Sequence, residues 1–383
     1  MKIPTWKNHR RAWLAAALAV VFGTACVTEA VIPADSPRAS DLRVDVQWRV
    51  DLASDRGFER VPREMGQPVL SPGGDLLVGA SSGWVYRIRA HSGAISWGVP
   101  VGGAVDAPGR LVGRTVVVGT DAGEVVALDW LSGQELWRAE TRGSVEATPS
   151  VASGRVLVVD TNEILYAFDV ESGEFLWDYQ RETPDFFTIK GGGEPVQQGN
   201  TVYLGFADGT VAALAADNGQ EQWSVQLGAE AGDFDDVHLP LFVSEERLLA
   251  TSTSGGIYAL ERSTGAVEWH VDVSDVTAVH QELNWLFATV STGRVFALDT
   301  TEGEIYWSYD LPGDLIPMGV SIGGSFLAVA VAEGPMYWLH LRNGEPAAKW
   351  MPSKGFQSAP VFDDRLGYVM SNAGYLYGFG VAY

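Results

Sequence analysis

The sequence predicts an all-β fold: an eight-bladed β-propeller of four-stranded antiparallel blades, closed by an N-terminal strand that joins the last blade. Three observations predict it. Trp97, Trp137, Trp177, Trp223, Trp269, Trp307 and Trp350 recur at spacings of 40, 40, 46, 46, 38 and 43 residues. Ahead of them stand Gly93, Gly133, Gly173, Gly219, Gly265, Gly303 and Gly344, each four residues after an Asp-like position; the Trp follows that position by eight residues in six copies, and Trp350 follows His340 by ten. Short β-rich runs flank every glycine, and the amphipathic 3.6-residue pattern required by helical arrays of this period is missing.

Composition bounds the rest. The chain has 383 residues, 46% hydrophobic and 19% charged, with 44 glycines, 14 tryptophans and a formal net charge of −22. That excludes a disordered chain and allows one large core. The acidic balance excludes nucleic acid as a partner, because phosphates reward clustered Lys and Arg. One cysteine excludes a disulfide scaffold and any multi-cysteine zinc or iron–sulfur site.

Residues 1–25 read as an address. Lys2, Lys7, Arg10 and Arg11 precede an apolar run from Ala12 to Phe22, too short for an ordinary membrane span and suited to a signal-peptide core. Gly23-Thr24-Ala25-Cys26 then fits a bacterial lipobox with lipidation on Cys26, although Gly23 stands where Leu is usual; ordinary signal cleavage nearby is the alternative. Val27 instead of Asp fits sorting to the outer membrane, facing the periplasm. Cleavage before Cys26 removes four positive charges and no negative one, taking −22 to −26. Residues 26–43, rich in Ala, Pro, Ser and Asp, read as the lipidated N-terminus and a flexible tether.

The propeller is expected over 44–383. Its clearest repeats are Gly123 to Asp129, leading through Ser132-Gly133 to Trp137, and Gly293 to Asp299, leading through Gly303 to Trp307; a third copy has Glu163 where the leading glycine is expected. The run before each Asp is a strand, the Asp bonds the turn, the Gly takes a positive φ, and the Trp lies on the returning strand against a neighbouring blade. The last copy, Gly374 to Gly380, lacks a Trp. Val44 to Val50, carrying Trp48, supplies the missing strand and removes the open sheet edges. Trp48 thus joins the seven others as a blade-docking residue, and these residues can be purely structural.

The pattern Ala127-x-Asp129-x-x-Ser132-Gly133-x-x-x-Trp137 resembles the tryptophan-docking repeat of the quinoprotein-type propellers, a family that contains PQQ-dependent alcohol dehydrogenases and the BamB-type lipoproteins of outer-membrane β-barrel assembly. The resemblance covers essentially the whole chain after the leader. It implies either a non-enzymatic scaffold that binds the POTRA region of BamA, and that can offer sheet edges to unfolded outer-membrane clients, or a degenerate PQQ-dependent oxidoreductase. A generic cell-surface binding propeller is the third reading. The dehydrogenases use a vicinal disulfide and a calcium site around the quinone, and a chain whose one cysteine is Cys26 cannot form that disulfide. No cofactor is expected.

Other chemistry is weakly signalled. Gly79-Ala-Ser-Ser-Gly83 matches G-x-S-x-G, but in a strand–turn–strand context where a nucleophile elbow needs a helix. His91, His238, His270, His280 and His340 show no metal-ligand spacing. Asp233, Asp235 and Asp236 lack the remaining ligands of a calcium loop and read as a solvated acidic loop. The repeats ending at Trp223 and Trp269 are longer than the rest, with the extra residues expected between the preceding Trp and the next strand, on one face and side by side. Within them, Phe187-Thr-Ile189-Lys190-Gly191 resembles the BamA-contacting loop of the BamB-type lipoproteins and Asp236-Val-His238 resembles its acidic partner, with Lys where Arg is usual and His where an acid is common. Alternatively, Phe187 and Ile189 begin a buried inner strand.

Overall fold

A computed structural model describes residues 42–52, 66–181, 193–228 and 236–382. Eight four-stranded antiparallel sheets form the ring of an eight-bladed β-propeller. Blades 1 to 7 span 69–100, 110–140, 150–179, 196–226, 242–271, 276–310 and 317–350. Blade 8 takes three strands from 361–382 and its outer strand, Arg43–Asp51, from the other end of the domain. That strand pairs with Tyr375–Ala382 from Arg43↔Ala382 to Asp51↔Tyr375, with a bulge between Val46 and Trp48. Closure hides the last edge of the ring, and the closing strand is the one expected from Val44 to Val50.

Blade 2 shows why these residues make these elements. Its strands are Arg110–Val112, Thr115–Gly119, Glu124–Asp129 and Glu135–Glu140. The two middle strands, TVVVG and EVVALD, are buried on both faces between neighbouring blades and read as continuous β-branched and apolar runs. The outer strand exposes Glu135, Leu136 and Glu140 and buries Trp137. Between the third and outer strands, the Asp129 carboxylate accepts hydrogen bonds from Leu131 N–H (3.1 Å) and Ser132 N–H (2.9 Å). The bonds from Ser132 hold that carboxyl below its ordinary pKa. Asp169 and Asp299 bond their turns in the same way. A bulge at Ala127/Leu128 turns Trp137 opposite the small Ala127, leaving room for the indole.

The indole then crosses to the next blade. Gly173, in the equivalent turn of blade 3, has φ +72°, and a Cβ placed on it would lie 2.6 Å from the Trp137 ring. Glycine is therefore required there twice, by backbone conformation and by contact. Trp137 Nε1–H donates to the Val170 carbonyl of the same turn at 3.0 Å. Trp48, Trp97, Trp177, Trp223 and Trp307 make the same bond, to Ala90, Trp130, Ala216, Arg262 and Leu341. Burying one such ring contributes on the order of 4–5 kcal/mol before ordering costs.

Two seams differ. Trp269 lies over Gly303, but its buried Nε1 has no acceptor among the described residues. In blade 7 the expected arrangement is inverted: Ala348 stands eight residues after His340, and the fully buried Trp338 is its partner on the third strand. Trp350 pairs instead with Met336, and its ring packs against Phe356, Tyr377 and Phe379. The reason lies in blade 8. Its outer strand arrives from the far end of the domain, so no turn joins it to the third strand and blade 7 has no docking glycine to meet.

The unequal seams give an expected outcome. Trp137→Phe removes a hydrogen bond and Trp269→Phe removes none, so the former should cost about 1 kcal/mol more in urea unfolding; equal losses would show that the indole N–H contributes nothing to the seam.

Candidate functional site

The longer connections fall where the repeat lengths place them. They run from the outer strand of blade 3, Phe175–Tyr179, to the inner strand of blade 4, Val196–Gln198, and from Glu221–Gln226 to Phe242–Val243 of blade 5. Antiparallel topology puts both on the face that carries the hairpins between second and third strands. Phe187, Ile189 and Lys190 lie outside the described residues, as do Cys26, Asp233 and Asp235.

Ion pairs and hydrogen bonds anchor the first connection at both ends. At the start of the first, Arg181 makes two hydrogen bonds to the Asp208 carboxylate of blade 4, at 3.0 and 2.9 Å, with its guanidinium 5.0 Å from the Phe206 ring centroid. At its far end, Gly193 N–H donates to Gly205 O at 3.1 Å, and Glu194 pairs with Arg110 on the inner strand of blade 2. Arg110 also donates to Pro149 O at 3.1 Å, so one guanidinium ties the inner region of blade 2 to the connections leading into blades 3 and 4. Burial raises the Glu194 carboxyl, and Arg110 opposes that rise.

Glu163 explains the missing glycine of the third repeat. It holds φ +60° in the blade 3 hairpin, a conformation that normally favours glycine, and its carboxylate accepts the Ala207 N–H of blade 4 at 2.6 Å. It is 6% exposed. Desolvation raises its pKa, the Ala207 bond opposes the rise, Asp208 and Asp236 add to it, and Arg181 lowers it. The residues around the base of the first connection are thus Glu163, Arg181, Glu194 and Asp208. None was singled out as a site residue by sequence, although an acid at a glycine position was the available signal.

The solvated-loop reading of Asp236 needs correction. Asp236 is 6% exposed rather than part of a solvated acidic loop. Its carbonyl accepts Thr253 N–H at 3.0 Å, and Val237 N–H donates to Phe206 O at 3.0 Å. The same pair of bonds recurs at Ala104-Val105 and Ser144-Val145, where Asp121 N–H and Thr161 N–H reach the first carbonyl and the valines donate to Ala80 O and Thr120 O. Each valine side chain fills the space beside a glycine: Gly79, Gly119 or Gly205. The Asp236-Val237 pair is therefore a repeated inter-blade connector, and the aspartate stands where alanine and serine serve equally in other blades. His238 is half-buried just beyond it.

Gly79 to Gly83 runs from strand through turn to strand, with Trp84 opening the next strand. A shallow depression of about 510 Å³ lies elsewhere, lined by Gly102, Gly123, Glu124, Arg138, Glu140 and Thr141 among others. Arg138 there is engaged by Glu124, Glu135 and the Val101 carbonyl. Among the described residues no three His, Cys, Asp or Glu side chains are grouped to hold a metal, and no helix is long and apolar enough to cross a membrane.

A closed eight-bladed ring latched by outer-strand tryptophans defines a quinoprotein-type propeller. The profile of the outer membrane protein assembly factor BamB family matches residues 81–309, and the chain belongs to that family. BamB of Shewanella oneidensis is 28% identical over 96 residues, 24% of this chain and 24% of the relative's own length. The crystal structure of BamB from Moraxella catarrhalis superposes with a TM-score of 0.75 at 21% identity, covering 88% of this chain and all of that one. A quinohemoprotein alcohol dehydrogenase from Pseudomonas putida gives 0.70 at 14% identity, over 88% of this chain and 76% of the other. At these identities the superpositions establish the fold.

The buried carboxyl supplies a pH prediction. Because the folded-state pKa of Glu163 is raised, the native chain binds more protons than the unfolded chain at pH values above the ordinary carboxyl value near 4.5. Stability should therefore fall as pH rises through that window. Glu163→Gln keeps the acceptor for Ala207 and removes the titration, so its unfolding midpoint should vary less with pH than that of the parent; parallel profiles would rule Glu163 out as a contributor.

Proposed function

We propose that this chain is a non-enzymatic scaffold lipoprotein of the outer-membrane β-barrel assembly complex, held to the periplasmic side of the outer membrane by lipid on Cys26. In this reading it docks the POTRA region of a BamA-like barrel protein and assists the insertion of β-barrel proteins. Family membership carries the proposal. The structural support is the placement of two long connections on adjacent blades of one face, the first held at both its ends by ion pairs. Such an arrangement suits recognition, since a rigid scaffold positions variable loops and reduces the ordering cost of binding.

The contacts are assigned to Phe187, Ile189 and Lys190 of the first connection and to His238 of the second. Asp236 acts through the backbone of the connector that sets the second loop. Arg181 and Asp208 are positioning residues. The family likeness also raises a quinone site, but its donor set does not fit: Cys26 is the one cysteine, leaving no vicinal disulfide.

Co-purification from membranes at native expression tests the reading. A BamA-like barrel should be recovered with the parent chain and strongly depleted by Lys190→Glu combined with Phe187→Ser. Recovery unaffected by those changes would sink the assigned surface, and recovery of no barrel protein at all would sink the scaffold reading. Cys26→Ser should shift the protein from the membrane to the soluble fraction. Quinone-dependent dye reduction by the purified chain would instead support an oxidoreductase.

A further inference from the structure

In six blades the hairpin between second and third strands is tied to the connection arriving from the blade before. Asp121, Thr161 and Thr253 N–H donate to the carbonyls of Ala104, Ser144 and Asp236 in blades 2, 3 and 5. Ser291, Ala332 and Asn372 N–H donate to Asp275, Ile316 and Gly355 in blades 6, 7 and 8. All six bonds measure 2.8–3.0 Å.

Blade 4 breaks the pattern. Its hairpin has the same turn, with Gly209 N–H donating to Phe206 O as Gly123 N–H does to Thr120 O. The equivalent N–H is therefore that of Ala207, which follows Phe206 as Asp121 follows Thr120. Its acceptor among the described residues is the Glu163 carboxylate of blade 3, 2.6 Å away. Ala207 is buried, and a buried N–H requires an acceptor. A side chain here does what connection backbone does in the other six.

Glu163 is not needed for its own turn. Gly83, Gly123, Gly209, Gly293 and Gly374 close the matching turns of blades 1, 2, 4, 6 and 8 at φ +78° to +88°. Glu163 holds φ +60°, a conformation unfavourable to a side chain, and takes its carboxyl out of water. The return for both costs is the bond to blade 4, and strain of this kind gathers at functional positions. Arg181, also from blade 3, forks onto Asp208 and lies over Phe206, so two side chains grip three consecutive hairpin residues.

We propose that Glu163 is a positioning residue for partner binding: its carboxylate substitutes for the backbone carbonyl of the arriving connection, which leaves the connection between blades 3 and 4 to engage the partner. A connection that gave up this bond without a substitute would strand the Ala207 N–H. An ionised acceptor is also stronger than a peptide carbonyl, so the connection does not displace it. The inference rests on the assignment of that connection as the docking surface for a BamA-like protein.

Two variants test it. Glu163→Gly restores the glycine of the other turns and removes the substitute acceptor, whereas Glu163→Gln keeps an oxygen for Ala207 N–H. Amide hydrogen exchange on the purified full chain needs no partner. In Glu163→Gly the connection should take up the open bond, slowing exchange across residues 182–192 about five-fold, and Glu163→Gln should match the parent. Recovery of a BamA-like barrel from membranes should fall about five-fold with Glu163→Gly and return with Glu163→Gln. The melting temperature of Glu163→Gly should not drop below that of the parent, because a strained turn is relieved. Unchanged exchange across 182–192 in Glu163→Gly would overturn the proposal. So would undiminished barrel recovery by that variant, equal loss with Glu163→Gln, or a loss accompanied by a lower melting temperature. Slowed exchange in Glu163→Gly, with no barrel recovered even by the parent, would support the substitution of acceptors and defeat the docking reading alone.

Discussion

The contact of an outer-strand tryptophan with the left-handed glycine turn of the next blade is the constraint from which the rest of the ring follows. It fixes three things together: a small residue opposite the indole, a bulge that turns it outward, and a carbonyl about one repeat further along to receive its N–H. Each blade alone is a thin sheet with two apolar faces. At seven of the eight seams the latch joins such sheets, because the turn glycine admits the ring; blade 7 is packed on blade 8 through Trp338 and Trp350 instead.

The face with the long connections uses a different device. Its first long loop begins and ends on charged groups that bridge blades, Arg181 to Asp208 and Glu194 to Arg110, with Glu163 bonded to the backbone of Ala207 at its base. These are partly or wholly buried, so removing one partner leaves a desolvated charge and has more effect than loss of an exposed surface pair. The scaffold beneath the candidate contact surface is thereby better fixed than the loop lengths alone suggest.

The blade count, the closure by Val44 to Val50 and the docking role of most tryptophans were legible because the motif is local. Asp, Gly and Trp sit within nine residues, and a fixed offset survives changes in loop length. What depended on distant partners was not legible. Trp350 kept the residue type but not the offset, and only the third strand reveals that Trp338 and Ala348 exchange places. Glu163 was visible as an exception, yet its partner Ala207 lies in another blade. Asp236 misled for the opposite reason: three aspartates in four residues suggested a solvated loop, whereas the connector to which it belongs is recognised by a valine beside a glycine of the preceding blade.

The clasp in blade 8 sets an order of events. Arg43–Asp51 is the first strand of the ring to be synthesised and Tyr375–Ala382 the last, yet they are ladder partners. Blades 1 to 7 can form from contiguous chain as it emerges, but the circle cannot shut until the final strand is present. Until then Arg43–Asp51 is an orphan edge, open to proteases and to pairing with foreign strands. Its sequence meets that interval with two arginines and two aspartates in nine residues, a composition that discourages promiscuous pairing while the chain waits for its own end.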